Sequence, residues 1–366
     1  MKLLDRDYPI APHASWEVVD ATKLRAFTLC PRKFFYEYVV GIRPDFIENH
    51  LVFGGAFHKG MEIMLLKEFD TNFTSSLESL VRSGIPLEKA VMAFCSEGIL
   101  KEVWNAFIKE YEAEIPKELW ADYSPKTPER AMLAYMLHAD TYRFDSKRYR
   151  FLEMDGKKSV ELSGTIALSE DITLAWMMDA ILQAEDGTIV GLEHKTASSF
   201  LGWPEMWQID IQPGVYKLVL EAMFPEQQSK LLINGICFKK TASASKQMKL
   251  HSDVARHFDF VRCEVGKSEA QLNMVLESIQ RKIDDMELYF DWLYSSRESD
   301  TVLRTFPMRE VGCTFQYGRQ CPYLDFCISI PNPLRLFVDD RIPPGFVRKY
   351  WNPLEKATNI RKEVTI

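Results

Sequence analysis

The sequence predicts a mixed α/β fold in which helices flank a central mixed β-sheet. Three short segments rich in Val, Ile, Leu and Thr, at 159–166, 172–183 and 188–194, indicate consecutive strands because turn residues separate them. Helical spacing of apolar residues dominates before these strands, and a helix, a strand and a second helix follow them. This order is typical of a mixed sheet with a helical insertion in the first half of the chain.

The first predicted helix lies within residues 20–39. Asp20 or Thr22 is suited to cap it, because a short polar side chain can accept a hydrogen bond from the first N–H groups of a helix. Pro31 indicates a break or the start of a second helix, since proline has no N–H to donate.

A glycine pair, Gly54-Gly55, predicts a turn, and the apolar spacing after it predicts a helix with His58 at its start. Residues 75–145 are predicted to be mostly helical. Their candidate inward-facing residues are Leu80, Ala90, Ala93, Leu100, Val103, Phe107 and Tyr111.

The chain returns to helical spacing after the three strands, at residues 208–224. Residues 231–238 indicate a further buried strand, and residues 268–296 indicate a long amphipathic helix. The segment after residue 300 is rich in proline, so it is expected to be mostly loop.

The charge balance argues against a protein that binds nucleic acid only through a broad basic surface. Lys and Arg number 45 and Asp and Glu number 52, which gives a net charge of −7, whereas histone-like or coating proteins are basic. An enzyme that holds phosphates with a metal and a local basic patch stays compatible. The start, MKLLDRDYPI, carries charges where a signal peptide needs an apolar stretch, so a cytoplasmic protein is expected.

The residues best suited to catalysis are predicted to lie on two neighbouring strands. Asp179 falls in one strand, a turn follows at 185–187, and the next strand ends in Glu193-His194-Lys195. Because side chains alternate along a strand, Glu193 and Lys195 share a face and His194 points to the other. A hairpin would bring Asp179 near Glu193. Two carboxylates and an ammonium suit a hard divalent cation and a group that orients or deprotonates water.

These residues also have a purely structural interpretation. A Glu-x-Lys pair on a strand is common as an exposed salt bridge, which would give Glu193 and Lys195 no catalytic role. Asp179 is harder to explain in this way, because it interrupts the apolar run from 172 to 182. A buried carboxylate without a partner costs on the order of several kcal/mol. A metal ion or another cation is therefore expected beside Asp179.

Two further signals lie before and after these strands. His58 could supply an imidazole as a further metal ligand. Gln212 and Tyr216 are four residues apart on a predicted helix, so their side chains share one face. In isolation, each of these residues would be structural in most proteins.

The ordered set resembles the RecB-like branch of the PD-(D/E)XK nuclease superfamily, which includes the nuclease domains of RecB and AddB and the iron–sulfur nucleases of CRISPR adaptation. That branch carries a histidine, an aspartate in a strand, a Glu/Asp-x-Lys in the next strand and a Gln-x-x-x-Tyr helix. The segment ATKLRAFTLCPRKFFYEYVVGIRP also resembles the usual start of the branch. The resemblance spans residues 20–330. It implies one nuclease domain at 1–330 with a restriction-endonuclease-like core, a helical insertion at about 61–150, and a C-terminal tail at 331–366.

The resemblance also implies roles for individual residues. Mg²⁺ or Mn²⁺ would be held by four groups, namely His58, Asp179, Glu193 and the backbone carbonyl of His194. Lys195 would position the attacking water and stabilise charge on the phosphate. Gln212 and Tyr216 would support the site or contact DNA.

The seven cysteines argue for reduced thiols or metal ligands rather than a disulfide framework. Cys313, Cys321 and Cys327 lack the Cys-x-x-Cys spacing of a zinc ribbon, and spacing alone leaves three buried thiols as an alternative. The resemblance implies a [4Fe–4S] clip that joins Cys30 to these three cysteines. Seven residues separate Cys313 from Cys321, where two are common in the branch. The remaining three, Cys95, Cys237 and Cys263, are expected to be core thiols.

Two features are candidates for DNA contact. The stretch KKTASASKQMK at 239–249 is basic and free of acidic residues, so it predicts either a loop that binds phosphates or an ordinary solvated face. Trp203 and Trp207 are four residues apart and follow the catalytic strand. They could stack on the bases of a single strand or pack in the core.

The expected function is that of a metal-dependent DNA nuclease, an exonuclease acting on single strands or DNA ends in recombination, repair or phage DNA processing. A helicase or an annealing protein is a candidate partner. The alternative is a non-catalytic DNA-binding or scaffold protein that retains the fold and the cluster, which the intact trio of Asp179, Glu193 and Lys195 disfavours. A third alternative is a structural protein that binds zinc instead of iron.

Overall fold

The computed structural model describes residues 2–46, 48–67, 87–239, 258–313, 320–337, 341–356 and 358–365. The chain divides into two compact units. The first unit comprises Met1–Phe46, Ser163–Met177 and Lys267–Ile366, and the second comprises Ile47–Leu162 and Met178–Gly266. Within the described residues, no helix is long and apolar enough to cross a membrane.

The fold is a mixed α/β core, as the sequence predicts. The described strands are β1 (Val18–Val19), β2 (Ile42–Pro44), β3 (Tyr149–Phe151), β4 (Glu153–Met154), β5 (Lys157–Lys158), β6 (Val160–Ala167), β7 (Thr173–Ala184), β8 (Ile189–Ala197), β9 (Ser229–Phe238), β10 (Phe258–Val265), β11 (Phe346–Arg348) and β12 (Ile360–Val364). The main sheet has the strand order β10-β9-β8-β7-β6-β12, and β1 and β3 also pair with β7. The three predicted consecutive strands are β6, β7 and β8.

The helices account for most of the remaining regular structure. They are α1 (Ala21–Leu29), α2 (Pro31–Phe34), α3 (Asn49–Leu66), α4 (Leu87–Phe94), α5 (Gly98–Glu112), α6 (Pro128–Thr141), α7 (Asp145–Arg148), α8 (Trp203–Ile209), α9 (Ile211–Met223), α10 (Glu269–Ser295), α11 (Leu324–Ser329) and α12 (Leu334–Phe337). The long predicted helix is α10. It begins with a capping box in which Ser268 and Gln271 satisfy each other's backbone N–H groups.

The helix start and break predicted in the N-terminal segment are confirmed. The Asp20 side chain accepts a hydrogen bond from the backbone N–H of Lys23 at 2.7 Å, so it caps α1. Pro31 begins α2, where its missing N–H costs nothing because the first turn of a helix leaves that donor unused.

The predicted turn at Gly54-Gly55 is wrong, and so is the placement of His58 at the start of a helix. Both glycines and His58 lie inside α3. Two glycines cost a helix about 2 kcal/mol relative to alanines, but α3 buries Phe53 and Phe57 completely. Burial of aromatic side chains can outweigh that cost, so the glycine signal did not mark a boundary.

The helices between residues 49 and 141 share an apolar core in the second unit with residues of β9 and β10. Five of the predicted inward residues are buried there, namely Ala90, Leu100, Val103, Phe107 and Tyr111. The prediction for Ala93 is wrong, because its side chain is exposed, and Leu80 lies outside the described residues. Helices α3, α5 and α6 contribute to this core.

The register of the sheet brings distant parts of the chain side by side. Strands β7 and β8 are antiparallel, with pairs running from Gln183↔Ile189 to Ala180↔Leu192. Strands β8 and β9 are parallel and pair His194 with Asn234. Strands β9 and β10 are antiparallel and pair Asn234 with Arg262. Helix α9 packs on β8 and β9, α3 packs on β8, and α6 packs on β10.

The C-terminal segment supplies strands to the first unit. Strand β11 is antiparallel to β2, with Val347 opposite Arg43. Strand β12 lies beside β6. A side chain at Gly164 of β6 would lie 2.6 Å from the Trp176 ring, so this part of the sheet requires a glycine.

Candidate active site

Asp179 connects a strand, its neighbour and a helix. It directly precedes Ala180, which pairs with Leu192 of β8, and its Oδ2 accepts a hydrogen bond from the backbone N–H of His194 at 2.6 Å. Its Oδ1 lies 2.9 Å from Nδ1 of His58, which α3 supplies. Asp179 is buried and 5% exposed. The carboxylate therefore sits inside the protein with fixed partners on both oxygens.

Glu193 is the second buried carboxylate, and its two oxygens have different surroundings. Oε1 accepts from Lys195 Nζ at 2.5 Å and from Gln212 Nε2 at 3.2 Å. Gln212 Nε2 also donates to Tyr216 Oη at 2.6 Å. Oε2 is buried and has no hydrogen-bond partner in the described part of the chain. Burying such an atom alone is costly, so Oε2 is available to bind a cation.

The sequence predicts the shared face of Glu193 and Lys195 and the shared face of Gln212 and Tyr216, and the structure has both. Helix α9 places Gln212 and Tyr216 beside Glu193 and Lys195. Asp210 caps the start of this helix, because its side chain accepts a hydrogen bond from the Gln212 backbone N–H at 2.8 Å. This cap fixes the point at which α9 starts over the sheet.

The buried charged groups of the site shift one another's pKa values. Burial raises the pKa of Glu193, the Lys195 ammonium opposes this only in part, and Asp179 raises it further. Burial also acts to raise the pKa of Asp179, but His58 and the hydrogen bonds of His194 outweigh it and hold this pKa well below its ordinary value. Burial acts to lower the pKa of His58, but Asp179 outweighs it and the pKa is raised. A divalent cation would favour ionisation of both carboxyl groups.

Glu161 is a further carboxylate that the sequence did not indicate. It lies in β6, is buried, and has a left-handed backbone with φ of +52°. One ligand atom from each of Glu161, His58 and Asp179 can be chosen so that all three lie within 4.8 Å of one another. Between Val160 and Leu162, Glu161 looks like an ordinary solvent-facing residue of an alternating strand, and only its unusual φ and its burial identify it.

Among the described residues, His58, Glu161 and Asp179 form the group that fits one hard divalent cation, and Glu193 lies outside this group. Ligands at about 2.1 Å in octahedral geometry lie about 3 Å apart when adjacent, and His58 Nδ1 and Asp179 Oδ1 are 2.9 Å apart. With the three carboxyl groups ionised and His58 neutral, Glu161, Asp179, Glu193 and Lys195 carry a net charge of −2. A single divalent ion would neutralise this charge, and oxygen ligands with one imidazole suit Mg²⁺ or Mn²⁺.

The comparison with protein families is decisive at this point. The profile of the PD-(D/E)XK nuclease superfamily matches residues 19–328, which is most of the chain. The protein belongs to this superfamily. No curated protein matches it. Five solved chains match, and one, described as "Crystal structure of SSO0001", has 14% sequence identity and a TM-score of 0.24, over 64% of this chain and 85% of that chain.

Of the two alternatives for the tryptophans of this PD-(D/E)XK protein, the structure supports packing in the core and not base stacking. Trp203 and Trp207 are 5% and 6% exposed. A side chain at Gly235 would lie 2.6 Å from Phe200 and 2.7 Å from Trp203, which shows how tightly this region is packed. Trp207 instead lies under the Lys195 ammonium, 5.7 Å from Nζ to the ring centroid. Of the basic stretch at 239–249, residues 240–249 lie outside the described part of the chain.

The four cysteines of the expected clip lie in the first unit as free thiols. The backbone N–H of Cys321 donates to the carbonyl of Cys313 at 3.0 Å, and a side chain at Gly312 would lie 3.0 Å from Cys30 Cβ. Burial raises the pKa of Cys321, and the charges of Cys30 and Cys313 raise it further. Burial raises the pKa of Cys327 to about 11, and Cys30 and Cys321 add to the shift. The charge of Cys30 therefore acts on the pKa of each of the other three cysteines.

Proposed function

We propose that this PD-(D/E)XK protein is a metal-dependent DNA nuclease that acts as an exonuclease on single strands or DNA ends. One observation carries the proposal: Glu193 keeps a buried oxygen without a hydrogen-bond partner in the described part of the chain, beside a second buried carboxylate, Asp179. The Lys195 ammonium binds Oε1 of Glu193 and leaves Oε2 without a partner in the described residues, so a further group should compensate the charge at Oε2. A cation that also binds a DNA phosphate would do so.

The proposed cation ligands are His58, Glu161, Asp179, Glu193 and the backbone carbonyl of His194. A bound Mg²⁺ or Mn²⁺ would lower the pKa of a water and neutralise charge on the phosphodiester. Hydrogen bonds to Asp179 Oδ2 and to Glu193 Oε1 fix the orientation of the two carboxylates. The other oxygen of each carboxylate, Asp179 Oδ1 or Glu193 Oε2, is the proposed ligand atom.

Lys195 is the proposed group that orients the attacking water and stabilises the phosphate. Glu193 Oε1 and the face of Trp207 hold its ammonium, and 25% of its side chain is exposed. It can therefore reach a substrate without losing its position. Gln212 is proposed to hold Glu193, and Tyr216 to hold Gln212, through the hydrogen bonds that join the three side chains.

We also propose that the protein falls in the RecB-like branch, with a [4Fe–4S] cluster held by Cys30, Cys313, Cys321 and Cys327. The electrostatic effect of Cys30 on the pKa of Cys313, Cys321 and Cys327 supports this, because such clusters need four thiolate ligands in one place. The cluster would be structural, and the three C-terminal ligands would close a long loop onto Cys30, which lowers the entropy of the unfolded chain.

The remaining parts of the proposal concern organisation and context. Residues 1–330 would form one nuclease domain with a helical insertion at about 61–150, and residues 331–366 would extend it. The enzyme would act in the cytoplasm on DNA in recombination, repair or phage DNA processing. A helicase or an annealing protein would supply the DNA end.

The test is incubation of anaerobically purified protein with end-labelled single- and double-stranded DNA in Mg²⁺, Mn²⁺ or EDTA. The proposal predicts a ladder of products that grows from one end and disappears in EDTA. Cleavage of closed circular DNA, which has no ends, would support a nuclease activity but would show that the enzyme is not an exonuclease. DNA binding without cleavage in any metal would favour the alternative of a non-catalytic scaffold.

A further inference from the structure

A row of polar side chains crosses three adjacent strands behind the candidate active site. His194 of β8 pairs with Asn234 of β9, and Asn234 pairs with Arg262 of β10. Paired residues of neighbouring strands place their side chains on the same face. His194 and Asn234 are each 1% exposed. His194 and Asn234 are therefore buried within the second unit, and His194 is the member of the row next to Asp179.

The hydrogen bonds along the row have a defined direction. Arg262 can only donate, and its Nε donates to Asn234 Oδ1 at 2.6 Å. This fixes the Asn234 amide, so its Nδ2, which can only donate, faces His194 Nε2 at 3.4 Å. His194 Nε2 must then accept. The neutral imidazole consequently carries its proton on Nδ1, which lies 3.1 Å from Asp179 Oδ2.

Both hydrogen-bond donors of His194 therefore meet the same oxygen of Asp179. The backbone N–H lies 2.6 Å from Oδ2 and the side-chain Nδ1 lies 3.1 Å from it. These two bonds hold the plane of the carboxylate and leave Oδ1 on the side of His58. A histidine in the other tautomer would present a lone pair to the carboxylate and repel it.

The far end of the row is anchored as firmly as the near end. The Arg262 guanidinium forms two parallel hydrogen bonds to Asp145, at 2.9 and 2.6 Å. Its planar group also lies over the Tyr142 ring at 4.0 Å. A guanidinium held by a fork and a stacked ring cannot turn its Nε away from Asn234.

We propose that Arg262 and Asn234 are positioning residues for metal binding: they set the tautomer of His194, which orients Asp179 toward the divalent cation. This inference rests on the proposed function, because it assigns Asp179 as a ligand. Partners of this kind, which orient a ligand without touching the metal, commonly change metal affinity by about 10- to 100-fold when they are removed.

The first experiment reads the tautomer directly and needs no metal. Protein labelled with ¹⁵N at histidine is examined by long-range ¹H–¹⁵N NMR, and the His194 signals are assigned by their loss in His194→Gln. The wild type should show the Nδ1–H tautomer, and Arg262→Gln should show the Nε2–H form or a mixture. A wild-type His194 with its proton on Nε2 would overturn the inference, and so would an Arg262→Gln protein in which His194 keeps only the Nδ1–H form, because Asp179 alone would then set the tautomer.

The second experiment measures Mn²⁺ affinity by calorimetry in Asn234→Leu and in a matched control, Asn332→Leu. Asn332 is also a buried asparagine, with hydrogen bonds to the carbonyls of Arg297 and Asp300, but it lies in the first unit. Both variants should lose stability. Only Asn234→Leu should bind Mn²⁺ about 10- to 100-fold more weakly.

The outcomes separate this inference from the proposed function. Wild-type affinity in folded Asn234→Leu, or an equal loss in both variants, would overturn the positioning role and leave the nuclease proposal intact. If Asn234→Leu does not fold, the partly exposed Arg262→Gln takes its place in the same titration, and wild-type affinity there would also overturn the role. A wild type that binds no Mn²⁺ would reject the metal site itself, whatever tautomer NMR shows.

Discussion

Lys195 Nζ lies 2.5 Å from Glu193 Oε1, so the two oxygens of the Glu193 carboxylate have different partners. One oxygen holds the ammonium. The other, Oε2, is buried without a partner in the described residues and is the oxygen proposed for the cation. The Glu-x-Lys spacing of β8 thus places a cation ligand and a phosphate-stabilising group side by side.

Replacing this lysine should separate chemistry from binding. Lys195→Ala removes the ammonium that would stabilise charge on the phosphate, so Mn²⁺-dependent cleavage should fall by at least about 100-fold. DNA binding, measured by fluorescence anisotropy in Ca²⁺, should change little. The control is Lys101→Ala, at an exposed position of α5. Turnover close to wild type in Lys195→Ala would reject the assigned role.

Replacing Gly54 and Gly60 of helix α3 by alanine should change the stability of the protein in opposite directions. A side chain at Gly60 of α3 would collide with the Tyr135 hydroxyl, which donates to the Phe57 carbonyl at 2.8 Å. Gly60→Ala should therefore lower the free energy of unfolding by about 1–3 kcal/mol. Gly54 has open space around it, so Gly54→Ala should raise it by up to about 1 kcal/mol. Urea unfolding checks both, and equal effects would contradict the packing described.

The cysteine set should be tested by colour. If four thiolates hold a [4Fe–4S] cluster, anaerobically purified protein is brown, and Cys321→Ser should lose both colour and solubility. Cys95→Ser is the matched control, because Cys95 is a buried thiol of the second unit. It should remain brown. A stable, colourless and active Cys321→Ser protein would show that the cluster is not structural. A colourless wild type with bound zinc would show that these cysteines bind zinc and not an iron–sulfur cluster.

A buried lysine should make stability depend on pH. Burial lowers the pKa of Lys23 from 10.5 to about 7, while its Nζ donates to the carbonyls of Ser15 and Val18. Between these pH values the unfolded chain holds a proton that the folded chain does not. Stability should therefore rise with pH above 7 by up to about 1.4 kcal/mol per pH unit, and the penalty should be complete below pH 7.

The variant Lys23→Met isolates this contribution. Its free energy of unfolding should rise less steeply than that of the wild type between pH 7 and pH 9, whatever the other groups do. Lys101→Met, at an exposed position, should keep the wild-type slope. Parallel curves for wild type and Lys23→Met would show that Lys23 keeps its proton in the folded state.

The local pattern of the sequence was sufficient for most of the fold. Strands β6 to β8 and helix α10 follow from apolar periodicity, and the cap at Asp20 follows from its side chain. The boundary at Gly54-Gly55 failed because burial of Phe53 and Phe57 outweighed a local preference. Tertiary packing likewise buries Trp203 and Trp207, so their rings are not available for stacking on bases.

The parts of the site that the sequence did not indicate depend on register and on backbone conformation. Asn234 and Arg262 are far from His194 in the chain and meet this predicted site residue only because three strands pair in one register. Glu161 enters the site through a left-handed φ inside a strand. Such a conformation is uncommon for a non-glycine residue and costs on the order of 1–3 kcal/mol, so no local rule predicts it.

The most direct test of the account is Mn²⁺ binding by the purified protein, followed by electron paramagnetic resonance. Wild type should bind Mn²⁺, Asp179→Asn should lose binding, and Glu161→Gln should weaken it by about tenfold or more, since removing one ligand charge lowers the affinity of such sites. Glu170→Gln, at an exposed position, should bind as wild type does. A wild type that takes up no Mn²⁺, or an Asp179→Asn protein that binds it unchanged, would contradict the account.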